Sequence, residues 1–337
     1  MKKEKYTGVP ITGIRDMSKA NHNLRSKSME KALINASLEQ TGGMKNNTHR
    51  ARLPALRDFA HFIKQTEGIS RLNYITKDAV LRYGEALKAQ YESGVISHVT
   101  ARDYLSHVNV ALSQARGDDT LTVRATKELG YAPKSGIAQH DGSVPLAMHQ
   151  AVKSAVSEEV ALVVGLQREF GLRFREAALF NAVDALKSIE LGETPSMKRG
   201  TKGGQPRRVP VDNEAKHQIL LKVAQYQRSN HTQSLIPSKH SFKSFQSMAW
   251  RETCAANPEY KSHGERKHFA CAYYRQHTGV ACPVQAHVPH GRPHHQFIAQ
   301  QLGVSLNEAR ALDKRVRLAL SKLLGHHRVE VTNAYLG

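Results

Sequence analysis

Toward its carboxyl end the chain runs Leu324-Gly325-His326-His327-Arg328-Val329-Glu330-Val331-Thr332-Asn333-Ala334-Tyr335. A Leu-Gly pair closing an amphipathic run reads as a helix stop, because glycine takes up the left-handed conformation that ends helices. His326 follows the stop at once, and Tyr335 lies nine positions further on. Alone, such a tyrosine is a packing residue, a large ring with a polar tip. Its meaning depends on three segments upstream.

Those segments are Gly171-Leu172-Arg173-Phe174-Arg175-Glu176-Ala177, Thr201-Lys202-Gly203-Gly204 followed by Arg207-Arg208-Val209-Pro210, and His263-Gly264-Glu265-Arg266 leading into Phe269-Ala270. Each supplies cations. The alternation on either side of Gly203-Gly204 reads as a β-hairpin over 196–211. Cations converging from separate segments suit a phosphate, since planar guanidinium groups grip its oxygens two at a time.

Composition agrees. The chain has 337 residues, with 49 Lys and Arg against 29 Asp and Glu, a formal net charge of +20. A chain so basic meets a polyanion, and nucleic acid is the commonest. Cys254, Cys271 and Cys282 contain no Cys-x-x-Cys pair, which argues against a thiolate zinc site or a disulfide framework and fits reduced thiols in a cytoplasm. The amino-terminal stretch is charged and lacks the apolar core of a signal peptide. The apolar run Val160 to Val164 is too short to cross a bilayer, so no membrane role is expected.

The pattern divides into segments. Residues 1–28 read as a flexible basic arm, with Lys2, Lys3, Lys5, Arg15, Lys19, Arg25 and Lys27 free for phosphates. Residues 29–117 read as a small all-α domain. Leu53, Leu56, Ala60 and Ile63 form an apolar stripe, with Arg52, Arg57 and Lys64 assigned to the outer face. Thr76 is an N-cap stapled by Ile75 and Val80, and Ala101, Leu105, Val108 and Leu112 line a further helix. Turn residues across 118–145 mark a linker. Residues 146–337 form a second domain, with an inserted His-rich segment at about 280–305.

In the order and near-wording of its four motifs the second domain resembles the tyrosine recombinase (phage integrase) family. The first domain resembles that family's helical core-binding, SAM-like domain. The resemblance implies a mainly α fold with a small β-sheet, an α+β class. It also implies a metal-independent enzyme, with no cofactor, that breaks and rejoins DNA through a 3′-phosphotyrosine link. Tyr335 would be the nucleophile. Arg173 and Arg266 would hold the non-bridging oxygens. His263 and His326 would donate hydrogen bonds or move protons, and Lys202 would protonate the departing 5′-oxygen. The implied partners are double-stranded recombination sites, bound by a homotetramer that is monomeric or weakly associated when free. Two domains would clamp the duplex, with accessory bending or directionality factors. The setting would be a mobile element in a bacterial cytoplasm, associated with the nucleoid. A type IB-like topoisomerase, or a non-catalytic DNA-binding protein on the same fold, would share these motifs.

Among the basic residues, Arg175, Lys198, Arg199, Arg207, Arg208, Arg52 and Lys64 are assigned to DNA contact. Arg175 competes with Arg173 for the phosphate, and His268 competes with His263. Gly264 stands where the family usually has its acidic residue, shifting that residue to Glu265. The segment from Arg266 to His326 is longer than the family's. Its His287, His290, His294 and His295 lie in a Pro- and Gly-rich stretch that reads as a loop on DNA or on a neighbouring subunit. With no Cys or acidic partner at suitable spacing, no metal is assigned there.

Overall fold

The computed structural model describes residues 15–201 and 204–337. The chain separates into two units, Met1–Ser135 and Gly136–Gly337.

The first unit is helical: α1 (Met29–Gln40), α2 (Asn47–Thr66), α3 (Lys77–Glu92), α4 (His98–Arg116) and the short α5 (Ala125–Leu129). Four of these helices begin on a side-chain cap. Ser28, Asn46, Thr76 and Ser97 each accept a backbone N–H three residues on, satisfying donors that a helix start leaves open. Gly117, left-handed at φ +81°, ends α4. The core is built by Leu33, Leu56, Phe59, Ile63, Val80, Tyr83, Leu105 and Val108.

Three sequence readings need correction here. Residues 15–28 do not form a free arm. Leu24 is buried in the core, Arg15 Nη2 donates to the Gln114 carbonyl at 2.8 Å, and Asn21 Oδ1 accepts the Leu72 N–H. Lys2, Lys3 and Lys5 lie outside the described residues. The first part of the expected linker is also structured: Leu121, Val123, Leu129 and Tyr131 pack into the same core. Finally, Arg52 is buried, because it sits one helical step before Leu56, Phe59 and Ile63 on the packed face of α2. Its Nη1 donates to Gln40 Oε1 at 2.6 Å. Lys64 is exposed, as read from the sequence.

The second unit opens with α6 (Leu146–Ala155), α7 (Glu158–Phe170), α8 (Phe174–Ala178) and α9 (Ala182–Glu190). A hairpin follows, β1 (Ser196–Met197) antiparallel to β2 (Arg207–Arg208), with Ser196 opposite Arg208 and Met197 opposite Arg207. Then come α10 (Glu214–Ser229), α11 (Phe242–Ala256), α12 (His263–Thr278), α13 (Pro283–Ala286), α14 (Arg292–Leu302), α15 (Leu306–Leu323) and α16 (Asn333–Leu336). The fold is mainly α with a small antiparallel sheet, as the sequence implied. One core surrounds α7 and α10, and a second joins α12 and α15 to Tyr335 and Leu336. Among the described residues no helix is long and apolar enough to cross a membrane.

The His-rich insert is helical rather than a loop. Pro283 and Pro293 occupy first-turn positions of α13 and α14, where proline's missing N–H costs nothing. Gly303, left-handed at φ +66°, ends α14.

Candidate active site

Two backbone features place the arginines. Gly171 ends α7 at φ +60°, and a side chain there would meet Phe269 Cδ1 at 2.4 Å. The turn aims the Gly171 carbonyl at Arg266 Nη1, which donates to it. Two residues on, Arg173 caps α8, and its own N–H donates to Glu176 Oε2 at 2.8 Å. The second feature is Gly264 in the first turn of α12. A Cβ there would lie 2.8 Å from the Gly142 carbonyl oxygen and 2.8 Å from Val144 Cγ2. The 142–144 segment therefore packs directly on the helix start, and Val144 N–H donates to the Gly264 carbonyl at 3.2 Å. This close approach accounts for glycine where the family has an acid. Glu265 turns inward instead.

Glu176 organises the centre. It is buried, and its carboxylate accepts Arg173 Nη1 at 2.7 Å and Arg207 Nη2 at 2.5 Å, with Arg266 Nη1 at 3.8 Å. Burial pushes its carboxyl up, but Arg207, the Arg173 N–H, Arg173 and Arg266 together outweigh that and hold it below the ordinary value. Arg207, assigned from sequence to DNA, is buried here. It donates to Glu176 and to the Leu323 carbonyl, so it braces the site from within. Burial pulls its guanidinium down to about 10, against the pull of Glu176, which leaves it charged at neutral pH.

Arg266 is fully buried, and three of its five N–H groups are engaged within the protein. Nη1 donates to Gly171, Nη2 to the Leu324 carbonyl at 2.6 Å, and Nε to the Tyr335 hydroxyl at 3.2 Å. Arg173 Nη2 lies 3.2 Å from His326 Nε2. A guanidinium only donates, so Nε2 accepts in that contact. The His263 ring centre is 5.8 Å from that of Tyr335. Crowding by protein, then Arg266, Lys267 and Arg173, lower its pKa. Five sequence-assigned residues thus meet at one place: Arg173, His263, Arg266, His326 and Tyr335. The sixth, Lys202, lies outside the described residues.

The rivals separate. Arg175 is exposed, with its guanidinium 5.1 Å above the Phe242 ring. Tyr274, which lies two turns beyond Arg266 on α12 and is a second tyrosine near the site, is buried and donates to Asp313. His268 Nδ1 lies 3.3 Å from Arg168 Nη2, in a second buried cluster where Glu265 accepts Arg168 Nη1 at 2.8 Å and faces His149 Nδ1 at 2.9 Å. That cluster holds the start of α12 and escaped sequence reading, since nothing in the spacing of 149, 168 and 265 connects them. Lys198, Arg199 and Arg208 are exposed. Arg207 had a usable signal: successive strand residues face opposite ways, so one of two adjacent arginines had to turn inward. Among the described residues no group of His, Cys, Asp and Glu is arranged to hold a metal ion.

An integrase family model matches residues 136–276. That match covers the front part of the second unit, where the chain is similar to integrases. His326 and Tyr335 lie beyond the matched residues. The integrase fold recurs in solved structures. A lambda integrase tetramer bound to a Holliday junction superposes with a TM-score of 0.52 at 15% identity, over 88% of this chain and 78% of that one. The Tn1549 transposon integrase in complex with transposon right-end DNA gives 0.51 at 11% identity, over 92% and 95%. No curated protein matches this chain in sequence.

Proposed function

We propose that this protein is an integrase of the tyrosine recombinase family that cleaves and rejoins double-stranded DNA at specific sites through a phosphotyrosine intermediate on Tyr335. The observation that carries the reading is the 3.2 Å contact between Arg266 Nε and the Tyr335 hydroxyl, beside the Arg173–His326 pair. A scissile phosphate drawn to Arg173 and Arg266 would stand against that hydroxyl. The phenolic oxygen forms a bond to phosphorus, the bond from phosphorus to the 5′-oxygen breaks, and that oxygen takes up a proton. Rejoining reverses the step with a 5′-hydroxyl of the same or another duplex. The arginines stabilise charge on the non-bridging oxygens. His263, near-neutral at physiological pH, takes the phenolic proton, and His326 donates to the phosphate. Lys202 is assigned to the leaving oxygen.

The exposed Arg175, Lys198, Arg199, Arg208 and Lys64 are assigned to phosphate contacts, which position a duplex without reading its sequence. A tetramer on paired sites, integration or excision of a mobile element, and a bacterial cytoplasmic setting complete the reading. It draws support from the lambda integrase tetramer and the transposon integrase among the similar folds.

The test uses a nicked suicide substrate, on which cleavage traps protein covalently on DNA. Wild type is expected to form the adduct in EDTA, and Tyr335→Phe to form none. An adduct that persists in Tyr335→Phe refutes the nucleophile assignment. Relaxation of supercoils without exchange between two sites would indicate a topoisomerase.

A further inference from the structure

We propose that Arg317, held by Asp313 and the histidines of the insert, is a positioning residue that sets the approach of Tyr335 to the phosphate. The proposal rests on Tyr335 being the nucleophile. Helix α16 has four residues, too few to hold its own geometry in water. Its position must come from what it touches, and Arg317 touches it on both sides of the tyrosine. Nη1 donates to Thr332 Oγ1 at 3.3 Å and Asn333 Oδ1 at 3.1 Å, while Nη2 donates to the Gly337 carbonyl at 3.0 Å. Arg317 is buried, and its fork has fixed directions, so three acceptors around one side chain fix the segment's path.

The fork is itself fixed. Asp313, one turn earlier on α15, accepts Arg317 Nε at 2.9 and 3.1 Å. The same carboxylate accepts the Tyr274 hydroxyl at 2.5 Å. Tyr274 and Arg266 share α12, so the helix that presents the phosphate-binding arginine also anchors the device that places the tyrosine. The insert supplies the remaining contacts. His295 Nε2 lies 3.4 Å from Asp313 Oδ2, His290 Nδ1 lies 2.9 Å from the Gly337 carbonyl, and His294 Nε2 lies 3.0 Å from the Ala281 carbonyl. This gives the His-rich segment a task within the protomer. A buried ion pair adds little net stability over an apolar pair of similar size, whereas its directional contacts select one geometry.

The experiment measures single-turnover adduct formation and DNA affinity for wild type, Arg317→Gln, Arg317→Lys and Asn333→Ala, with thermal unfolding of each. Misplacing a reacting group by about 1 Å costs on the order of a hundredfold, so Arg317→Gln should form adduct roughly 30- to 100-fold more slowly. Its DNA affinity should stay at the wild-type value, and Arg317→Lys should recover part of the rate. The defect should persist on a substrate whose leaving 5′-oxygen is replaced by sulfur. A thiolate departs without a proton, so that substrate relieves a defect in leaving-group protonation but not a misplaced nucleophile. An Arg317→Gln rate equal to wild type, a defect confined to affinity, or full relief by the sulfur substrate overturns the proposal. Should Arg317→Gln fail to fold, Asn333→Ala decides, because it removes one contact and leaves the ion pair intact. A slowed rate with unchanged unfolding supports the proposal, and a wild-type rate refutes it. Were wild type itself to form no adduct, the phosphotyrosine reading would fall first and this one with it.

Discussion

Replacing Glu176 by Gln should unsettle the second unit more than any surface change. The carboxylate faces three guanidinium groups, at 2.7 Å (Arg173), 2.5 Å (Arg207) and 3.8 Å (Arg266), and is itself buried. An amide keeps the volume but removes the charge, and its NH₂ must point at a group that only donates. Deleting one partner of a buried ion pair costs about 3–5 kcal/mol, because the partner stays buried without compensation. A domain of about 200 residues loses roughly 2–4 °C of Tm per kcal/mol, so the transition of this unit should fall by roughly 6–20 °C.

The pH dependence provides an internal check. Glu176 is held below the ordinary carboxyl value of 4.5 in the folded protein. Its contribution is therefore complete above the unfolded value and is lost as pH falls through the lower folded one. The gap between wild type and Glu176→Gln should be constant near neutrality and narrow below about pH 4.5. Sulfate, binding where the phosphate would, should restore the variant more than it stabilises wild type in proportion to its larger loss, since it supplies the missing negative charge. Calorimetry with and without sulfate measures both. A variant within about 1 kcal/mol of wild type at pH 7 would mean that solvent, not Glu176, screens these arginines.

Two further outcomes separate buried from exposed cations and assign a proton. Arg208→Ala should lower the salt slope of DNA binding by about one phosphate's worth, while Arg207→Met should leave the slope unchanged and abolish adduct formation; equal salt slopes for the two variants would contradict the burial of Arg207. His263 is neutral at pH 7 because crowding and then Arg266, Lys267 and Arg173 lower its pKa below 6.5, so adduct formation should decline only as pH drops beneath that value. That acid limb should vanish in His263→Ala, measured as rate against pH, and an unaltered limb would assign it elsewhere.

The residues proposed for the chemistry, which the fold brings together, each sit in a local pattern that the sequence displays: a helix cap after Gly-Leu, a helix start before Arg266, a helix stop before His326. Their supports were not legible, because they are tertiary. Arg207 looks like any hairpin arginine until Glu176 is seen beside it. The charge of Arg52 suggests an outer face, but its helical spacing with Leu56 and Phe59 places it inward, and the period decides. The prolines and glycines of the insert suggest a loop. Pro283, Pro293 and Gly303 in fact mark helix starts and a helix stop, and the same residues serve both readings. Asp313, the acidic partner of His295, lies 18 residues away, beyond any spacing rule for a local cluster.

The charge balance at the centre bears on why these supports exist. Three guanidinium cations surround one carboxylate, leaving two unit charges uncompensated in a buried place. A folded protein tolerates such an excess poorly unless an anion relieves it. A phosphodiester carries one negative charge, and the five-coordinate state formed by tyrosine attack carries two. On the phosphotyrosine reading, the second charge of the site would be satisfied only during the reaction, which is the condition for catalysis rather than mere binding. Removing Glu176 would raise the excess to three and favour tight, unproductive anion capture. Keeping it, braced by Arg207, would match the site to the state in which bonds change on that reading.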